Sequence, residues 1–179
     1  MNTNWKRNII LFVISQSISL FGSSLVQYAI MWYITLNTQS GVMMTISIIC
    51  GFLPTFFLSP FAGVWADQYD RKKLIAISDG LIAGVTFIMA LFFYSGKESL
   101  GLLFMVSGIR ALGTAIQTPA VNAFIPQLVP EEHLMRVNGI NGSIQSIIFL
   151  LSPMISGALL TLATIEVIFL IDIITAITA

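Results

Sequence analysis

The feature that most constrains this chain is a long uncharged stretch that ends in a dense cluster of charges of both signs. No residue from Asn8 through Ala66 carries a formal charge, and five charged residues then fall within the seven positions Asp67–Lys73. Placing Asp or Lys at the centre of a membrane helix costs about 2.5–3.5 kcal/mol on insertion scales. The pattern therefore predicts two helices that cross a membrane and return, with the charged turn outside the hydrocarbon.

The composition also indicates a membrane protein. Apolar residues make up 56% of the chain and charged residues only 9%, whereas soluble domains carry about 25% charged residues. A soluble globule of this composition would lack the charge to cover its surface. The one cysteine, Cys50, excludes a disulfide within the chain, and no Cys/His spacing predicts zinc. We expect no metal, no cofactor and no nucleic-acid partner.

Apolar runs long enough to span hydrocarbon, about 20 residues each, recur five times, and a sixth, shorter run reaches the last residue. Together they predict an all-α bundle of six transmembrane helices. The predicted helices cover residues 9–36, 42–66, 74–94, 100–123, 137–162 and 165–179. A polar loop is predicted over 126–136, with a helix start within it at Pro130-Glu131-Glu132. The spacing Gly80-x-x-x-Gly84 predicts close approach of another helix. The sixth helix is still apolar at the last residue, so we expect the chain to be truncated in or just after it.

The basic residues predict the orientation of the bundle. If six helices alternate across the membrane, six basic residues share one side: Lys6, Arg7, Arg71, Lys72, Lys73 and Arg136. Lys97 alone falls on the other side. Because Lys and Arg accumulate on the cytoplasmic side, the N-terminus and the 67–73 loop are predicted to be cytoplasmic, in the inner (plasma) membrane of a cell.

Arg110 is the sharpest indication of function. It lies about ten residues, or about 15 Å, into the fourth predicted helix, near the middle of a hydrocarbon core about 30 Å thick. An arginine at that depth must face a water-filled cavity or an acid, and Asp172 and Asp79 are the two candidate acids. Arg110 is therefore either part of a structural ion pair or part of a proton or substrate path.

Other polar residues in the helices are weaker candidates. Asp172 is a candidate proton carrier, with a fixed ion pair as the alternative. Asp79, which could also belong to the proton or substrate path, lies closer to the 67–73 loop and is predicted to join the charges there. In lipid, amide side chains usually turn inward, where they hydrogen-bond or line a cavity. Six amides are candidates for such a lining: Gln16, Gln27, Asn122, Asn138, Asn141 and Gln145.

The loop after the second helix resembles the signature of the major facilitator superfamily. That signature reads Gly-x-x-x-Asp-Arg/Lys-x-Gly/Asp-Arg-Arg/Lys, and it is matched by Gly63, Asp67, Asp70, Arg71 and Lys72. Gln68 departs from it, since a basic residue is expected there. Residues 109–120 resemble the helix 4 motif of drug-efflux members, and residues 30–33 and 52–54 resemble the macrolide efflux branch.

A second, partial match lies in the fifth predicted helix. Ser152, Pro153 and Gly157 resemble the antiporter motif Gly-Pro-x-x-x-Gly, with Ser152 in place of the first glycine. The resemblance to the superfamily covers nearly the whole chain. It implies that the chain is the N-terminal six-helix half of a twelve-helix fold, in which two halves surround a central cavity and work by alternating access.

The resemblance implies a secondary active transporter and not an enzyme, with proton-coupled efflux of amphipathic drugs such as macrolides as the first hypothesis. The implied partners are a small-molecule substrate, protons, the lipid bilayer and a C-terminal six-helix half. The residues Gly63, Asp67, Asp70, Arg71 and Lys72 would then form a cytoplasmic latch between the halves. The alternative for this loop is a solvated turn whose positive charges set the topology.

Two other functions stay open on the sequence alone. One is export or uptake of another small metabolite, and the other is a six-helix membrane scaffold or partner subunit that does not itself transport. An ATP-driven exporter would need its nucleotide-binding domain on another chain, because the chain has no glycine loop that ends in Gly-Lys-Ser/Thr. No His/Asp/Ser arrangement indicates a hydrolase.

Overall fold

The structure, a computed structural model, describes residues 5–97 and 99–178, which form six helices joined by short turns. The helices are α1 (Trp5–Thr38), α2 (Gly41–Gln68), α3 (Arg71–Tyr94), α4 (Leu100–Leu128), α5 (Glu131–Leu162) and α6 (Ile165–Thr178). Within the described residues, α1 to α5 are long and apolar enough to cross a membrane, and α6 has 14 residues. The predicted all-α, six-helix bundle is confirmed. The last position of the predicted sixth helix, Ala179, lies outside the described residues.

The predicted polar loop over residues 126–136 is wrong. α4 continues through Pro119 and Pro126 to Leu128, and α5 begins at Glu131, which leaves a connection of two residues. Proline is tolerated in membrane helices because neighbouring groups and small local adjustments satisfy the backbone carbonyls that it leaves unpaired. The start predicted at Pro130-Glu131-Glu132 is where α5 begins, with both acids in its first turn.

The core of the bundle lies where α1, α3, α4 and α6 meet. Its central side chains are at most 1% exposed: Leu25, Ile30, Met89, Leu103 and Phe169. α1 also packs against α2 and α5, and α4 against α2. α2 and α5 each bury only four residues, so most of their apolar surface is left for lipid or for another membrane segment.

The close helix approach predicted at Gly80 and Gly84 is also wrong. A Cβ atom built at either glycine would meet no described atom within 4 Å. The close approach lies instead at Gly22 of α1, where a Cβ atom would lie 3.2 Å from the Cα of Asp172 and would overlap the Thr175 hydroxyl. The missing side chain at Gly22 therefore lets α1 lie directly against α6, beside the carboxylate of Asp172.

Candidate functional site: a polar cavity and its buried charges

A buried ion pair joins α4 to α6. Arg110 Nη1 lies 2.6 Å from Asp172 Oδ2, and the two side chains are 3% and 1% exposed. Of the two acids that the sequence offered to Arg110, Asp172 is the partner. An ion pair this short has the geometry of a charge-assisted hydrogen bond, which is about twice as strong as a neutral one.

Groups from α1 and α3 complete this ion-pair network. The Ser23 hydroxyl donates to Asp172 Oδ1 at 3.0 Å, and the Thr86 hydroxyl lies 3.0 Å from Asp172 Oδ2 and contacts Arg110 Nη1. Arg110 Nη2 donates to the Ser23 carbonyl oxygen at 3.1 Å. These contacts come from α1, α3, α4 and α6, so the network ties four helices together. Arg110 Nε is buried and has no hydrogen-bond partner among the described residues.

The prediction that Asp79 joins the charges of the 67–73 loop is wrong. Its Oδ1 accepts hydrogen bonds from Ser19 Oγ at 2.9 Å and from Gln117 Nε2 at 2.6 Å. No ion pair within residues 5–97 and 99–178 includes it. The physical reason is distance, since eight residues of helix place Asp79 about 12 Å along the α3 axis from Arg71.

A cavity of about 300 Å³ lies between α1, α2, α4 and α5. Five of the six candidate amides line it: Gln16, Gln27, Asn122, Asn141 and Gln145. Asn138 is not part of the lining. Arg110 forms part of the cavity wall, and Tyr28, Phe52 and Phe149 add aromatic surface. The cavity therefore offers hydrogen-bond donors and acceptors beside aromatic rings.

Sequence reasoning missed several lining residues on α4. Thr114, Gln117 and Thr118 line the cavity together with Arg110 and Asn122. These positions follow Arg110 by four, seven, eight and twelve residues, the spacing of one face of a helix. A polar stripe that continues from Arg110 toward the end of α4 was therefore present in the sequence and could have identified them.

The partial antiporter motif places α5 against α1. The Pro153 carbonyl oxygen accepts a hydrogen bond from Trp32 Nε1 at 3.2 Å, and a Cβ atom at Gly157 would lie 3.4 Å from the same nitrogen. Ser152 is fully buried, and its hydroxyl has no hydrogen-bond partner among the described residues. The motif therefore packs around one tryptophan, and a role for it in transport stays a prediction.

Three of the five signature residues in the 63–72 segment have structural contacts within the chain. Asp70 caps α3, since its Oδ1 accepts from the backbone N–H groups of Lys72 at 3.0 Å and Lys73 at 3.4 Å. Arg71 Nε donates to the Ala66 carbonyl oxygen at the end of α2, at 3.0 Å. The Lys72 ammonium lies 5.6 Å from the centre of the Phe124 ring, within cation–π range.

Asp67 and Gly63 are much less engaged. The Asp67 side chain is 78% exposed, and its contact with Arg71 is long, at 3.8 Å. A Cβ atom at Gly63 would meet nothing within 4 Å. These two residues therefore present an open surface at this end of α2, where another membrane segment could contact them.

The bundle of apolar helices, with a buried ion pair beside an amide-lined cavity, is the architecture of a membrane transporter. The chain belongs to the Major Facilitator Superfamily, whose family profile matches residues 12–179. It is thus related to multi-pass membrane transporters, and the resemblance that the loop signature indicated is confirmed.

Three curated relatives show which members of the superfamily this chain resembles in sequence. Macrolide efflux protein A of Streptococcus pyogenes is 34% identical over 176 residues, which are 98% of this chain and 44% of the relative. Macrolide efflux protein A of Enterococcus faecalis is 34% identical over 140 residues, 78% of this chain and 43% of the relative. The Staphyloferrin A transporter of Staphylococcus aureus is 26% identical over 151 residues, 83% of this chain and 38% of the relative. The chain spans less than half the length of these curated relatives, as expected for one half of the twelve-helix fold.

Proposed function

We propose that the chain is the N-terminal half of a secondary active exporter that expels amphipathic compounds such as macrolides by proton-coupled alternating access. The observation that carries the proposal is the amide-lined cavity with Arg110 in its wall. In transporters built from two repeats, the substrate site lies near the midplane where the repeats meet. Macrolide efflux protein A of Streptococcus pyogenes is 34% identical to this chain over 98% of its length, and this similarity supports a macrolide as cargo.

The chemistry of the cavity suits an amphipathic cargo. Amide and hydroxyl groups can hydrogen-bond to the oxygen atoms of a ligand, while Tyr28, Phe52 and Phe149 can pack against its apolar face. Among the described residues that line the cavity, Arg110 is the one with a formally charged side chain. The carboxylate of Asp172 neutralises that charge. The wall therefore favours neutral, oxygen-rich groups of the ligand over an isolated charge.

Export should require both halves. We expect cells that express this chain together with a matching C-terminal half to accumulate less erythromycin than cells that express either half alone. A protonophore should abolish the difference, because it collapses the proton gradient. The reason is that the substrate site of such transporters lies where the two halves meet. Without the second half, the polar groups of this half that are directed there would face lipid, which is unfavourable.

The outcomes of this experiment separate the alternatives. Robust erythromycin export by the 179-residue chain alone would contradict the half-transporter proposal and indicate a small transporter that works as an oligomer. Paired halves that move another compound but not erythromycin would retain the transporter and replace the cargo. Paired halves that assemble and move nothing would favour a membrane scaffold or partner subunit.

We also propose that the N-terminus and the 63–72 signature segment face the cytoplasm. In a variant without Cys50, a cysteine placed at Ser95 should react with a membrane-impermeant thiol reagent in intact cells, and a cysteine placed at Gln68 should not. Both side chains are exposed and lie at opposite ends of α3. Gln68 is the last residue of α2, just before α3 begins, and Ser95 directly follows α3. The labelling therefore reports the side of the membrane and not burial. The reverse result would overturn the orientation, and labelling after cell lysis provides the control for reactivity at Gln68.

A further inference from the structure

We propose that Asp79 is the proton-binding carboxylate of this half, and that its protonation is transmitted to the cavity through the side-chain amide of Gln117. This inference rests on the proposed function, because it names the group through which a proton would act on the cavity. It separates the roles of the two acidic residues in the bundle core. Asp172 holds Arg110 in place, and Asp79 exchanges the proton.

Asp172 is held in place as the counter-ion of Arg110. It is 1% exposed, it is paired with Arg110 at 2.6 Å, and Ser23 and Thr86 surround its two oxygens. Removing its charge would leave Arg110, itself 3% exposed, as a buried charge without its counter-ion. The geometry therefore gives Asp172 a structural role in the ion pair.

Asp79 has different surroundings. Its partners are a hydroxyl and an amide, Ser19 and Gln117, and the side chain is partly exposed. Neutral donors of this kind tolerate both states of the carboxyl group, because protonation breaks no ion pair.

The position of Asp79 joins two spaces in the bundle. It lines a groove of about 510 Å³ between α1, α3 and the end of α6. Gln16 lines both this groove and the central cavity, and Gln117 lines the central cavity while it donates to Asp79. Asp79 and these two glutamines therefore form the partition between the groove and the cavity.

Protonation reverses the direction of one hydrogen bond in this partition. An ionised Asp79 only accepts, so Gln117 presents its NH₂ group to the carboxylate, and its carbonyl oxygen is directed elsewhere. A proton delivered by hydronium to Oδ1, the oxygen that accepts from Gln117, makes Asp79 a neutral acid with an O–H donor at that position and releases water. Gln117 then turns its carbonyl oxygen toward Asp79 and its NH₂ group away, which changes the hydrogen-bonding pattern of the cavity wall.

The polar and charged groups near Asp79 come from α1, α3, α4 and α6. On α1 the neighbouring polar groups are Ser19 and Gln16, which do not titrate. On α4 and α6 the charged groups are Arg110 and Asp172, which neutralise each other. On α3 itself, Lys72 lines the same groove and holds its charge over the Phe124 ring.

Infrared difference spectroscopy of the chain in lipid nanodiscs, with isotopically labelled glutamine, tests the proposal without substrate or a second half. Acidification should produce a carboxylic-acid carbonyl band together with a shift of a glutamine side-chain amide band. Asp79→Asn should lose the amide shift and the part of the acid band that Asp79 contributes, while the band from the other acids of the chain stays. Gln117→Ala should keep the Asp79 part of the acid band and lose the amide shift. Glu132→Gln is the control, since it removes an acid that is 75% exposed and should leave the amide shift unchanged.

The glutamine amide shift decides between the proposal and its failure. An amide shift that persists in Asp79→Asn, or its absence from the wild-type chain, would overturn the proposal. If Asp79→Asn fails to fold, Asp79→Glu keeps a carboxyl group and should retain both changes, with a displaced acid band. These results are independent of export, because erythromycin efflux by the paired halves can succeed while this titration fails, and the reverse is also possible.

Discussion

Neutralising either partner of the ion pair between α4 and α6 is expected to reduce the folded yield several-fold, and neutralising both partners together is expected to recover part of the loss. Arg110→Gln leaves Asp172 as an unpaired buried charge, and Asp172→Asn does the same to Arg110, with both side chains at most 3% exposed. Breaking a buried pair in this way costs about 3–5 kcal/mol in soluble proteins. Thermal unfolding in detergent, followed by the fraction of monodisperse protein, measures the effect.

The double variant isolates the coupling between the two side chains. Residues in direct contact show an interaction energy in such a cycle, whereas independent sites add. Arg136→Gln is a suitable control, because the Arg136 side chain is exposed in the second turn of α5, so that only a small effect is expected. A double variant as unstable as the sum of the single variants would show that the two charges do not stabilise each other.

The same variants separate a structural role from a transport role. If the ion pair only ties helices together, a double variant that folds should still export erythromycin when paired with a C-terminal half. If Arg110 takes part in the proton or substrate path, export should stay low even where folding is recovered. Comparing yield with export per folded molecule therefore distinguishes the two roles that the sequence left open.

Asp67→Asn is expected to remove most export by the paired halves and to leave the amount of inserted protein unchanged. Asp67 is 78% exposed and has only a 3.8 Å contact within the chain, so its charge contributes little to the stability of this half. Its carboxylate is free to accept hydrogen bonds from a helix N-terminus of another half, where negative charge is favoured. Erythromycin accumulation, normalised to the amount of transporter in the membrane, measures the effect.

Glu132→Gln is the matched control for Asp67→Asn. Glu132 is a similarly exposed acid, at 75%, and lies in the first turn of α5, outside the signature segment. Its neutralisation should leave export unchanged. Normal export by Asp67→Asn would mean that this segment acts only as a turn whose positive charges set the topology.

The helices and the position of Arg110 within its helix could be predicted because both depend on order along the chain. A run of apolar residues long enough to span hydrocarbon forms a helix wherever its partners lie, since a membrane helix satisfies its own backbone hydrogen bonds. The residues at which helices begin and end are harder to predict. α4, for example, continues through two prolines to Leu128. Local sequence cannot show that a neighbouring helix will support the proline-containing turn.

The sequence by itself determined the class of protein, the number of helices and the presence of an arginine that needs a partner. Only the tertiary structure decided that the partner is Asp172, that Asp79 bonds to Gln117, and that helices approach closely at Gly22 and not at Gly80. These contacts depend on how each helix is rotated about its own axis. In α1 and α2, hydrophobicity differs little from one face of the helix to another, so periodicity along the chain leaves that rotation undetermined until the helices pack.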